Sequence, residues 1–193
     1  MSHHVHASTV LLCLLLGACG GAASTESAKP ANLIEIRNAS FTEVDSRGWL
    51  VGWEGLEHNT GNSYRFVADS EIVYSSPASA RVERYGPEIY GHLRQLIPVQ
   101  PQWVNKTVRL SAMVRTDTAA DASVGLIFQM NRSDGSILSF NHMFDDRLSG
   151  KQDWRRVSVD LKVLPSTYRI NVGAILEGSG KAWFDDFQLE LRD

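Results

Sequence analysis

From Val108 to Arg115 the chain places Val108, Leu110, Ala112 and Val114 on one side and Arg109, Ser111, Met113 and Arg115 on the other. That two-residue period marks a half-buried β-strand. Residues 156–163 repeat it, with Val157, Val159, Leu161 and Val163 opposite Arg156, Ser158, Asp160 and Lys162. Further strand-like runs cover 64–67, 78–83, 90–97, 124–131, 137–143, 168–176 and 182–191. Turn chemistry separates them, as at Ser133-Asp134-Gly135 and Gly178-Ser179-Gly180. No segment sustains a helical period. About eight to ten short strands at this spacing predict an all-β fold, a two-sheet antiparallel β-sandwich or jelly roll forming a single domain.

The N-terminus follows a different pattern. The apolar run Val10–Leu16 is well short of the roughly 20 residues a membrane-spanning helix needs, and small residues follow it, which predicts an export signal. Leu16-Gly17-Ala18-Cys19 resembles a bacterial lipobox. That resemblance implies cleavage before Cys19, a diacylglycerol on its sulfur and acylation of the new amino terminus. The only cysteines are Cys13 and Cys19, so the mature domain has no disulfide. Gly20 follows Cys19 directly, where an aspartate would resemble an inner-membrane retention signal, so the outer membrane is expected, on either its periplasmic or its surface side. Residues 20–32, GGAASTESAKPAN, are too small and polar to bury a core and read as a tether. The expected organisation is a signal over 1–18, a lipid-anchored tether over 19–32 and the sandwich over 33–193.

Composition narrows the function. The chain is 43% hydrophobic and 21% charged with a net charge of −3, and its basic residues are scattered, which argues against nucleic acid as a partner. It contains no G-x-S-x-G, H-E-x-x-H or Walker motif. His58, His92 and His142 stand too far apart for metal-ligand spacing. Asp145-Asp146-Arg147 offers adjacent carboxylates, whereas glycoside hydrolysis needs two held apart across a bond, so an Asp–Arg pairing that pins a loop is the expected role. No catalytic function is expected.

Three segments carry a family resemblance. Asn38-Ala39-Ser40-Phe41 leading to Gly48-Trp49, then Ser75-Ser76-Pro77-Ala78-Ser79-Ala80-Arg81-Val82, and the closing Ala182-Trp183-Phe184-Asp185-Asp186-Phe187-Gln188-Leu189-Glu190 resemble carbohydrate-binding modules of the family 4/9 type. These are jelly rolls of the galactose-binding-like group. The resemblance implies a non-catalytic, lipid-anchored envelope protein that binds glycan or envelope polysaccharide. The alternative is an accessory lipoprotein whose jelly roll binds a protein partner and has lost its sugar site.

Strand parity nominates site residues. Tyr90, His92 and Arg94 share one face opposite Gly91 and Leu93, and an aromatic with two hydrogen-bonding neighbours is what a sugar site needs. Gln129, Asn131 and His142 are the expected further donors from other strands. Trp49 and Trp53 share parity with Val51, which suits either a double aromatic platform or core packing. Alternation from Trp183 through Phe187 and Leu189 puts Asp185 on the apolar face, where a carboxylate demands a partner. That partner is a cation, an arginine or backbone N–H groups. A bulge at Phe184 would bring Asp186 inward instead. The resemblance implies a structural Ca²⁺ at this pair.

Overall fold

The computed structural model describes Met1 and residues 32–59, 61–75 and 77–193. The expected signal beyond Met1, Cys19 and the tether as far as Ala31 lie outside the described residues. Asn32, read as the last tether residue, already belongs to the fold. Leu191 N–H donates to its carbonyl at 2.7 Å, and its own amide donates to Glu190 at 2.7 Å.

The strands are β1 (Leu33–Ile34), β2 (Glu54–Glu57), β3 (Tyr64–Asp69), β4 (Ser79–Arg84), β5 (Tyr90–Pro98), β6 (Thr107–Thr118), β7 (Ser123–Asn131), β8 (Ile137–Asn141), β9 (Lys151–Lys162), β10 (Arg169–Glu177) and β11 (Gly180–Arg192). They form two antiparallel sheets. A six-stranded sheet runs β3-β4-β11-β6-β9, with β1 also on β11, and a five-stranded sheet runs β2-β5-β10-β7-β8. This is the expected jelly-roll sandwich. The two strands the periodicity missed, β1 and β2, are too short to show an alternation.

The core forms where the inner faces meet. Val82, Leu110, Phe184 and Leu189 from one sheet join Leu93, Leu126, Phe128 and Leu176 from the other, all essentially inaccessible. Phe41, Trp53 and Phe187 extend it, with centroids 5.1 Å apart for Phe41–Trp53 and 5.0 Å for Trp53–Phe187.

Two parity expectations fail, one at a turn and one at a bulge. Leu50 makes an isolated bridge to Val44, and Gly52, at φ 82°, turns the chain before β2, so residues 49–53 are not one strand. Trp53 is therefore core, 7% exposed with Nε1 donating to the Asn38 carbonyl at 3.1 Å, while Trp49 is 53% exposed; they form no shared platform.

In β11 the register shifts between Asp185 and Gln188, and Asp186 sits at φ 48°. The bulge lies at Asp186 rather than at Phe184. It changes the phase of the strand, so that Ala182 and Phe184 face the core before it and Phe187 and Leu189 after it. Trp183 and Asp185 consequently face away from the core, beneath the segment after β3.

Candidate functional site

The outer face of the five-stranded sheet brings most of the nominated residues together. Tyr90, His92 and Arg94 are half-buried there while Gly91 and Leu93 point inward, as parity predicts. Cross-strand register aligns three rows: Leu56, His92, Ile175 and Gly125; Glu54, Arg94, Gly173 and Ile127; and Leu96, Asn171, Gln129 and Phe140. Although these positions face outward, Asn171 is only 3% exposed and Ile175 only 5%. The residues around them therefore stand as walls over a recessed floor. Gly173 and Gly125 keep that floor low. A Cβ at Gly173 would lie 2.0 Å from the Leu93 carbonyl oxygen, and one at Gly125 would meet Arg147 Cγ at 3.2 Å.

One wall is the segment leaving β8. Met143 adopts φ 55°, its N–H donates to Asn141 Oδ1 at 3.0 Å, and its sulfur accepts from Leu126 N–H at 3.3 Å. Arg147 ties the segment down. Its Nε donates to the His142 carbonyl at 2.9 Å, its Nη1 to Ser123 Oγ at 3.2 Å, and it pairs with Glu177 at 2.7 Å. The arginine pins the loop as expected, but its partner is Glu177 rather than Asp145 or Asp146; neighbours in sequence point away where a turn intervenes. The wall ends in aromatic rings, with Phe140, His142 and Phe144 centroids 5.0 to 6.3 Å apart and Arg147 4.8 Å from the centre of Phe144. Phe140 and Phe144 are exposed.

Charge in the trough is already spent. Arg94 donates to Glu54 at 2.9 Å, and Arg147 is held by Glu177. Burial, helped by Arg94, pushes the His92 imidazole down to about 4, and burial with Arg147 lowers His142 as well. Both rings are neutral near pH 7. Three buried polar atoms here lack a protein partner: His92 Nδ1, His142 Nε2 and Asn171 Oδ1. Each is shielded from solvent, so leaving it without a partner costs free energy at the base of the trough.

Tyr90, His92, Arg94, Gln129 and His142 thus share the trough. Asn131 is on the same sheet face, but its amide holds the β7–β8 turn by donating to the Gly135 carbonyl at 3.1 Å, while Oδ1 accepts from Gln129 at 3.3 Å. Sequence reasoning missed Asn171, Phe140 and Phe144. A signal for Asn171 was present, since it is the one amide within the apolar run from Ile170 to Leu176.

The aspartate pair in β11 has other partners than a metal. Asp185 is inaccessible, and its carboxylate accepts from Tyr74 N–H at 3.1 Å, Ser75 N–H at 2.8 Å, Ser75 Oγ at 3.1 Å and Asp186 N–H at 2.7 Å. Asp186 pairs with Arg156. Donors of this kind suit an anion, so the described residues do not fit the Ca²⁺ expected at Asp185 and Asp186. Among the described residues no group of three or more His, Cys, Asp or Glu converges.

No family model matches the chain. A curated relative, described as the uncharacterised HTH-type transcriptional regulator YbfP of Bacillus subtilis (strain 168), is 21% identical over 159 residues, covering 81% of this chain and 52% of its own length. The chain thus spans about half of that relative. Among solved structures, the xylan-binding domain from CBM 22 matches with a TM-score of 0.59 at 11% identity, covering 84% of this chain and 97% of that one. TmCBM61, solved with β-1,4-galactotriose, matches at 0.53 and 14% identity, covering 81% and 97%. The fold is a jelly roll, shared with these carbohydrate-binding modules. Since modules of families 22, 61 and 4 all match, the likeness establishes the jelly roll and not family 4/9 in particular.

Proposed function

We propose that this chain is a non-catalytic glycan-binding protein whose site is the trough on the outer face of the five-stranded sheet. The observation that carries the reading is the gathering of the half-buried side chains of Tyr90, His92, Arg94, Gln129 and His142 on one outer sheet face beside exposed Phe140 and Phe144. Aromatic faces take the apolar side of a pyranose, and the polar atoms fix its hydroxyls. The ligands bound by the matched modules, xylan and β-1,4-galactotriose by their descriptions, support a polysaccharide as the class. The carboxylates of the trough, Glu54 and Glu177, are each engaged by an arginine, which supports binding without hydrolysis. An anchor at Cys19 would hold the domain at the outer membrane within reach of envelope polysaccharide.

Electrophoresis of the full chain through gels containing xylan, β-1,4-galactan or mixed-linkage β-glucan tests the reading. Retardation by at least one polymer, weakened about tenfold when His92→Ala and Phe140→Ala are combined, is the expected result; loss of stacking and of one directional bond is worth about that much. No retardation by any polymer would overturn it. Retention of a protein partner that competes for Phe140 and Phe144 would then favour the protein-interaction role.

A further inference from the structure

A second recess opens at the free edges of the sandwich, where β2 and β3 end their sheets. Its volume is about 620 Å³, and its lining includes Trp49, Leu56, His58, Asn62, Arg65 and Tyr85. Trp49 is 53% exposed and Tyr85 is 55% exposed. Both stand on fixed backbone. The Asp45 carboxylate accepts from Arg47 N–H at 2.8 Å and Trp49 N–H at 3.0 Å, while Asp45 N–H donates to the Trp49 carbonyl at 2.9 Å. Tyr85 N–H donates to the Ser63 carbonyl at 2.8 Å. Each ring is also backed by an arginine, with Arg47 5.8 Å from the Trp49 centroid and Arg65 5.0 Å from that of Tyr85. Rings held this way lose little freedom when a ligand stacks on their open faces.

The remaining chemistry of the cleft suits an uncharged polyhydroxylated chain. Arg47 is paired with Asp45 at 2.8 Å, and the Glu57 carboxylate accepts from the Ser63 and Tyr64 N–H groups. Arg65 makes no ion pair among the described residues, so its planar guanidinium offers donors to hydroxyls beside the Tyr85 ring. An extra peptide strand has no room between the two edges, because Gly55 is packed so closely on Phe66 that a Cβ would fall 2.4 Å from the ring. The cleft also continues into the trough. His58 on its wall lies 5.1 Å from Tyr90, which lies 5.9 Å from His92.

We propose that the edge cleft is a second saccharide-binding site, with Trp49 and Tyr85 as stacking surfaces and Arg65 as hydroxyl donor, so that one domain engages two stretches of neutral polysaccharide. This rests on the glycan-binding reading of the fold but does not require the trough to be a site. Two linked sites raise apparent affinity for a long polymer above that for a short oligosaccharide.

The test compares the full chain with two double variants, Trp49→Ala with Tyr85→Ala in the cleft and His92→Ala with Phe140→Ala in the trough, in the same xylan, galactan and β-glucan gels. The exposed cleft rings can be removed without loss of fold, which an unchanged melting temperature verifies. Each double variant should weaken retention about tenfold, and all four substitutions together should abolish it. Cleft substitutions that match wild type would overturn the second site and leave the trough standing. Trough substitutions that match wild type, with the cleft pair abolishing retention, would support the cleft and refute the trough. An absence of retention on every polymer would refute both.

Discussion

Arg147 and Glu177 meet at 2.7 Å, with the Arg147 side chain only 7% exposed, and this pair fastens the segment after β8 to the end of β10, the middle strand of the five-stranded sheet. The contact carries the rim aromatics, since Phe144 rests against the same guanidinium. Glu177→Gln removes the negative partner and leaves a buried cation with neutral acceptors. Stability should fall by roughly 1–3 kcal/mol, and polysaccharide retention should weaken because the Phe140–Phe144 rim loosens. Denaturant melts and affinity gels of the same variant measure both effects.

His92 makes stability depend on pH over a defined interval. The unfolded chain takes up the imidazole proton near 6.5, whereas the folded chain takes it up only near 4. Acidification across that interval therefore favours unfolding, by at most about 3 kcal/mol, and the contribution is complete above the upper limit. Subtracting the stability of His92→Gln from that of wild type at each pH should leave a difference that falls between pH 6.5 and 4. A pH-independent difference would show that the ring titrates normally in the fold.

Gly173 is fixed by backbone proximity. Because a Cβ would fall 2.0 Å from the Leu93 carbonyl, Gly173→Ala must push β10 away from β5. The expected loss is about 1–3 kcal/mol, seen as a melting temperature several degrees lower. It should also weaken polysaccharide retention, because the methyl group raises the trough floor.

Asp185 stabilises the fold through hydrogen bonds. Asp185→Ala strands the Tyr74 and Ser75 N–H groups of the segment that covers it, and should cost about 2–4 kcal/mol. Melting midpoints should be the same with calcium and with a chelator. A midpoint that rises with calcium would mean that the ion binds the folded state and would restore the cation at this pair.

The proposed lipid anchor places acylation at Cys19. Cells fed labelled fatty acid should transfer label to the wild-type chain and leave Cys19→Ser unlabelled. If the proposed acylation is the anchor, the variant should move from the membrane to the soluble fraction, since each buried acyl methylene would supply about 0.8 kcal/mol.

The period-two runs on β6 and β9 marked their strands without help, because a strand with one buried face must alternate, and the same parity put Tyr90, His92 and Arg94 of β5 on one outer face. Glycine, aromatic and amide types were likewise legible. Tertiary structure decided what parity cannot carry across a turn or a bulge. Gly52 separated Trp49 from Trp53, and the bulge at Asp186 moved Asp185 from the core to the outer face. Neighbourhood across the sheet was also a tertiary matter. Asn171, Phe140 and Glu177 reach the trough only because β10 and β8 lie on either side of β7, and Trp49 reaches Tyr85 only because two sheet edges converge. Such contacts join residues distant in sequence through register and packing, which no local pattern encodes.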